Sequence, residues 1–233
     1  MILLLMLKSL WRYLKTMNKY TVIVSGGNLE ENFVMPVLES ENTELIIGVD
    51  KGLDFLYNHK IRPDYIVGDF DSVSEDVVRY FKEEENVPAK EFNPEKDFSD
   101  TEIALKFGLD LRRQHIVILG ATGTRIDHIW ANVQSLKIAA DSGCDVRILD
   151  SHNEISVHNE SFTIRKDEAF GKYFSLFPLG GTVEGLTIKG AKYPLEFHAL
   201  EPYNSLSVSN EFEEDEVSIS FSYGTVILMQ TKD

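Results

Sequence analysis

Tyr65-Ile66-Val67-Gly68-Asp69-Phe70-Asp71-Ser72 joins an apolar, β-branched run to a polar turn that holds two aspartates. The apolar half reads as the end of a buried strand. The two carboxylates therefore stand where a strand gives way to a loop. In open α/β sheets the ligand crevice lies at the carboxyl ends of the strands. Hard cations such as Mg²⁺ take oxygen ligands, usually one or two carboxylates together with substrate phosphates. Residues i and i+2 of a strand project to the same side. Strand geometry persisting through Phe70 would thus aim Asp69 and Asp71 at one point. Taken alone, an Asp-x-Asp is most simply a turn with local hydrogen bonds.

Working outward, residues 20–24, 44–49, 64–67, 115–119 and 145–149 read as further buried strands. Helices fit between them. Residues 74–85 carry Ser74 as N-cap and acids in the first turn. Residues 99–113 open with a Ser99…Glu102 capping box, and Ile103, Phe107 and Leu111 recur at helical spacing. Residues 127–140 set Ile129 or Trp130, Val133, Leu136 and Ala140 on one stripe before Ser142-Gly143. Strands alternating with helices imply a mainly parallel sheet covered on both faces, a three-layer α/β domain over residues 17–150. Residues 151–233 change character. Short alternating strands are expected at 154–158, 161–165, 173–177, 186–189, 205–208, 216–223 and 225–231, with no helix. That pattern reads as an all-β sandwich.

The 233-residue chain is 43% hydrophobic and 26% charged, ordinary for a globular protein with ample core. Its net charge of −15 makes it a poor candidate for binding nucleic acid through backbone phosphates, which needs clustered Lys and Arg. The one cysteine, Cys144, cannot form an internal disulfide and reads as a small core residue. Residues 1–16 hold an apolar run followed by Lys8, Arg12 and Lys15, the reverse of a secretory signal. The run is also shorter than the ~20 residues of a membrane span. The expected natural start is Met17, with residues 1–16 an extension outside the fold; a peripheral membrane anchor is the alternative. No stable membrane insertion is expected.

Two further constellations sharpen the Asp-x-Asp. Lys96-Asp97-Phe98-Ser99-Asp100 adds two carboxylates, with Asp100 in the first turn of a helix, where the dipole alone would favour it. Lys96 reads as a phosphate ligand or as an ordinary surface lysine. Gly123-Thr124-Arg125-Ile126-Asp127-His128 follows a strand and opens a helix. Such a turn offers backbone N–H groups to anions, and Arg125 adds a bidentate donor. Asp127 reads equally as a helix cap, and His128 alone as a packing or surface histidine. Ser25-Gly26-Gly27-Asn28 and Asp50-Lys51-Gly52 stand at two more strand ends.

With these motifs assembled, the chain closely resembles the thiamine pyrophosphokinase family. The resemblance rests on Asp50-Lys51-Gly52, Gly68-Asp69-Phe70-Asp71-Ser72, Lys96 to Asp100, Gly123 to His128 with Asn132, and Ser209-Asn210-Glu211, in order over residues 20–233. It implies an α/β nucleotide-binding domain followed by a β-sandwich, working as a homodimer in the cytoplasm. The family moves the terminal pyrophosphate of ATP to the hydroxyethyl group of thiamine. By position, Asp69, Asp71 and Asp100 would be the catalytic carboxylates and hold Mg²⁺ on ATP, with Asp97 in support. Asp50, Lys51, Gly52, Ser72, Lys96, Arg125, Asp127 and His128 would meet the nucleotide. Ser209 and Asn210 would lie by thiamine. Asp71 or Asp100 would take the hydroxyl proton. Lys51 stands where many relatives have Gly, and Ser99 where many have Thr. The same carboxylates would also serve a Mg²⁺-dependent nucleotide hydrolase or another small-alcohol kinase, and a non-catalytic sensor is the third alternative.

Overall fold

The computed structural model describes residues 19–91 and 98–233. The expectations for residues 1–16, Met17, Lys96 and Asp97 lie outside the described residues. The chain divides into two compact units, one ending at Ser151 and the other beginning at His152.

The first unit is built on β1 (Tyr20–Val24), β2 (Thr43–Val49), β3 (Tyr65–Gly68), β4 (Ala89–Glu91), β5 (His115–Leu119) and β6 (Asp145–Leu149). Its sheet runs β6-β5-β1-β2-β3-β4, with every pairing parallel. The central strands are covered on both sides: all of β1 is buried, as are the last four residues of β5. That double burial is why they read as continuous apolar runs rather than alternating ones. The chain moves one way from β1 to β4, then returns to β5 on the other side of β1. The switch point therefore lies between β1 and β5.

Five helices connect these strands: α1 (Glu31–Leu38), α2 (Gly52–Asn58), α3 (Glu75–Arg79), α4 (Asp100–Asp110) and α5 (Ile126–Asp141). Right-handed crossovers assign α1–α3 to one face and α4 and α5 to the other, and α4 and α5 do touch. α1 escapes a sequence reading because Pro36 sits inside it. The helix survives the lost N–H because Phe33, Val34, Val37 and Leu38 are buried on that side. The helix expected over 74–85 keeps its Ser74 cap but widens to a π-type turn over Tyr80–Glu84. On α5 it is Ile129, not Trp130, that turns inward; Trp130 is 49% exposed. Cys144 is buried just before β6, as a small core residue should be.

The second unit is antiparallel throughout. It comprises β7 (Asn153–His158), β8 (Phe162–Arg165), β9 (Tyr173–Pro178), β10 (Val183–Lys189), β11 (Leu195–Leu200), β12 (Asn210–Glu211), β13 (Glu216–Ser220) and β14 (Val226–Thr231). Strands pair as β12-β9-β14-β7 and as β11-β10-β13-β8. Phe174, Leu176, Val226 and Leu228 from the first group share one core with Leu186, Ile188, Val217 and Ile219 from the second, as a sandwich requires. The strand expected at 205–208 is instead a turn. Val208 N–H folds back to Ser205 O at 3.2 Å, and Ser209 follows at φ 57. The strands missed in this unit are the two-residue β12, and β11, whose residues are mostly exposed and so carry little alternation.

Ser99 caps α4 by accepting a hydrogen bond from Glu102 N–H at 3.2 Å. Ser99→Ala should therefore lower stability to denaturant by ~1 kcal/mol, and Ser99→Thr by much less. Equal losses in the two variants would show that the cap contributes nothing.

Candidate active site

The carboxyl ends of β1, β2, β3 and β5 open onto one crevice of about 600 Å³. Its lining includes Ser25, Asp50, Lys51, Asp71, Ser72, Asp100, Arg125 and His128. This is the switch point of the sheet, where ligands of such folds bind.

The acidic wall is assembled by strained backbone. Asp50 leaves β2 with φ 43, a left-handed conformation that Asp tolerates better than most residues. Its carboxylate needs the bare Cα of Gly68 at the end of β3: a Cβ there would lie 2.3 Å from Asp50 Oδ1. Strand geometry does not persist through Phe70, which turns at φ 61 with its ring buried. Asp71 N–H then donates to Asp69 Oδ1 at 3.2 Å. Asp69 and Asp71 therefore do not face one point as two residues of a strand would. The carboxylates that do converge are Asp50, Asp69 and Asp100, each offering an oxygen within 4.8 Å of the others. Asp100 arrives in the first turn of α4, which is tied to the β1 loop by a 2.8 Å hydrogen bond between the Ser25 and Thr101 hydroxyls.

This grouping departs from the expected set of Asp69, Asp71 and Asp100. Asp71 is exposed and lines the crevice beside the triad. The signal for Asp50 was its place at a strand end; nothing in the sequence says that β2 and β3 are neighbours. Burial first, then a hydrogen bond and repulsion from Asp100, then the charges of Asp69 and Asp71, push the Asp50 carboxyl up from 3.8 to about 8. Its Oδ1 is buried without a hydrogen-bond partner among the described residues. Three convergent carboxylates with an unmatched buried oxygen fit a hard divalent cation, which takes oxygen ligands and cancels their repulsion.

Cationic side chains line the same crevice. Arg125 stands exposed ahead of α5 and makes a double contact with Asp127, Nε to Oδ1 at 3.2 Å and Nη2 to Oδ2 at 2.6 Å. That pair holds the Asp127 carboxyl below its ordinary range and the guanidinium above its own. Lys51 follows Asp50 into the crevice, and Gly52 begins α2, buried behind it.

In the second unit, Ser209 is exposed while Asn210 is buried. The Asn210 amide is taken up by the chain itself. Its Oδ1 accepts from Tyr193 N–H at 3.0 Å and from Glu211 N–H at 2.9 Å, and its Nδ2 donates to Tyr193 O at 2.8 Å. Asn210 thus shapes the 193–210 surface, and Ser209 is the exposed residue of the two.

Fold and site together define a doubly wound α/β domain with a crevice suited to a polyanion and a cation, joined to a β-sandwich. The profile described as "Thiamin pyrophosphokinase, catalytic domain" matches residues 38–148, and that described as "Thiamin pyrophosphokinase, vitamin B1 binding domain" matches residues 161–226. The chain is 34% identical over 224 residues to the thiamine pyrophosphokinase of Bacillus subtilis, covering 94% of this chain and 100% of that one. Crystal structures of the B. subtilis and Geobacillus thermodenitrificans thiamine pyrophosphokinases superpose with TM-scores of 0.81 and 0.79, at 30% and 32% identity. Each covers 92% of this chain, and 100% and 98% of its own. The chain belongs to the thiamine pyrophosphokinase family.

The folded chain holds the Asp50 proton to about pH 8, whereas an unfolded Asp releases it near 3.8. The folded form binds more protons over that interval, so this group's contribution to stability falls as pH rises from about 4 to about 8. With divalent cations chelated, Asp50→Asn should melt above the natural protein at pH 8, with the gap closing toward pH 4. Added Mg²⁺ should raise the natural melting point and leave the variant's nearly unmoved. A variant that gains as much from Mg²⁺ as the natural protein removes Asp50 from the cation site.

Proposed function

We propose that this protein transfers the terminal pyrophosphate of ATP to the hydroxyethyl oxygen of thiamine, giving thiamine diphosphate and AMP. The observation that carries the reading is the crevice lined by carboxylates and by Arg125 and Lys51, at the switch point of a chain whose two units match the family's two domains in order.

Asp50, Asp69 and Asp100 would hold Mg²⁺, which when bound neutralises polyphosphate charge and orients it for displacement. Arg125 and Lys51, which line the same crevice, would meet the phosphates. Arg125 already keeps a planar double contact with one carboxylate, the geometry it would offer a phosphate. The thiamine hydroxyl oxygen attacks the β-phosphorus, the bond from that phosphorus to the α-phosphate oxygen breaks, and AMP departs with the electron pair. The hydroxyl proton goes to a carboxylate. Asp71 suits this better than Asp100, because it lines the crevice without belonging to the converged triad. Its charge remains available for a proton. Ser209 meets thiamine, and Asn210 holds the surface around it.

A homodimer in the cytoplasm belongs to the same reading. The dimer is supported by the large exposed side chains of Tyr193, Phe197, Tyr203 and Tyr223 in the sandwich, apolar surface of the kind a partner covers. Among the described residues no helix is long and apolar enough to cross a membrane.

Incubation with ATP, Mg²⁺ and thiamine should yield AMP and thiamine diphosphate in equal amounts. ADP as the nucleotide product, or ATP consumption indifferent to thiamine, would overturn the reading. Asp71→Asn should lower kcat by ~10²-fold or more at an unchanged melting point; a fully active variant excludes Asp71 as the proton acceptor.

A further inference from the structure

Four consecutive carbonyls at the end of β5 are all taken up within the fold. Ser25 N–H donates to Leu119 O at 2.8 Å, Gly27 N–H to Gly120 O at 2.8 Å, and Asn28 N–H to Thr122 O at 2.7 Å. The carbonyl left between these, Ala121 O, is reached by a side chain instead: Nδ2 of Asn132 donates to it at 2.8 Å. Asn132 lies on α5, is 7% exposed, and lines the crevice. Its bond to Ala121 is the one link of the four that a side chain supplies.

In a trans peptide the carbonyl of one residue and the N–H of the next point in opposite directions. Each carbonyl from 119 to 122 is held by its own partner, on the β1 loop or on α5, so the amide that follows it in the chain points away from that partner. Gly120, Ala121, Thr122 and Gly123 all line the crevice. Among the described residues, the amides of Ala121, Thr122 and Gly123 meet no acceptor. Consecutive backbone N–H groups presented in this way form an anion-binding concavity.

We infer that Asn132 is a positioning residue for the polyphosphate: it holds the Ala121 carbonyl back so that this turn offers donors, not acceptors, to an anionic ligand. The inference rests on reading the crevice as the ATP site. Released from Asn132, the Ala121 peptide could rotate, bring a carbonyl oxygen toward the phosphates and withdraw the Thr122 amide. Arg125 hangs on the same turn and would move with it. Gly27 holds the turn from its other side. A Cβ there would lie 2.1 Å from Thr122 O and 2.4 Å from Gly120 O, so Gly27→Ala displaces the same carbonyls while leaving Asn132 intact.

Asn132→Leu keeps the approximate shape and removes the donor without adding charge. Calorimetric binding of tripolyphosphate with Mg²⁺, and KM values for ATP and thiamine, should be compared with the natural protein. Loss of one buried donor predicts about a ten-fold rise in the tripolyphosphate Kd and in the KM for ATP. The KM for thiamine should stay within about two-fold, since a merely loosened fold would raise both. Gly27→Ala should reproduce that split. Unchanged tripolyphosphate binding in either folded variant, or parallel rises in the two KM values, would overturn the inference. In the natural protein, tripolyphosphate should shift the amide NMR signals of Ala121, Thr122 and Gly123 more than those of β6, and equal or absent shifts also count against it. If the natural protein binds tripolyphosphate in this manner but makes no AMP, the functional reading fails and the role of Asn132 stands.

Discussion

Six parallel strands must all release their chain at the same edge of the sheet. In this protein the strand order reverses between β1 and β5, and right-handed crossovers send the helices on either side of that point to opposite faces. A gap is left over the carboxyl ends of β1 and β5 that no helix fills. The loops after β1, β2, β3 and β5 close around it. Their polar character follows from that position, since an apolar loop there would meet water and a polar one can meet a ligand.

The crevice is lined by groups of both signs. Asp50 and Asp100, with Asp69 converging on them, share it with Arg125, Lys51 and the turn after β5. The acidic wall is costly by itself, because burial and like charge both oppose ionisation of Asp50. Asp100 gains a little from the N-terminus of α4. A bare polyphosphate would suit the basic groups and be repelled by the acidic ones. A polyphosphate carrying a divalent cation suits both at once. The charge pattern therefore selects the complex of anion and cation over either alone, and the fold supplies the energy that keeps the carboxylates together in its absence.

Much of this was legible in the sequence. The apolar runs ending in Val24, Val49, Val67 and Leu119 mark strands buried on both faces, and the polar clusters after them mark the crevice. What escaped depended on pairings distant in the chain. β2 and β3 are neighbours, so Asp50 sits against Gly68 and Asp69; no local pattern carries that information. α1 was hidden by Pro36, whose lost hydrogen bond is outweighed by the burial of four apolar side chains. In the sandwich, the 205–208 segment alternates like a strand, yet Ser207 Oγ donates to Leu176 O at 2.5 Å and fixes a turn. β11 was obscured for the opposite reason, because an exposed edge strand lacks a buried face to impose a period of two.

The backbone conformation of Phe70 explains why Asp-x-Asp is a turn and not a strand. A bulky residue in the left-handed region costs of order 1–3 kcal/mol and persists only where its surroundings hold it. Here the buried ring is the anchor, with Lys82 Nζ 4.7 Å from its centroid. The twist at Phe70 lets Asp69 turn in toward Asp50 and Asp100 and leaves Asp71 outside them. Had the strand continued, Asp69 and Asp71 would project together, and four carboxylates would compete for one cation with none left to accept a proton. The same two residues, separated by a strained turn, can take different tasks. The division proposed between a carboxylate triad for the cation and Asp71 for the proton follows from that one backbone conformation.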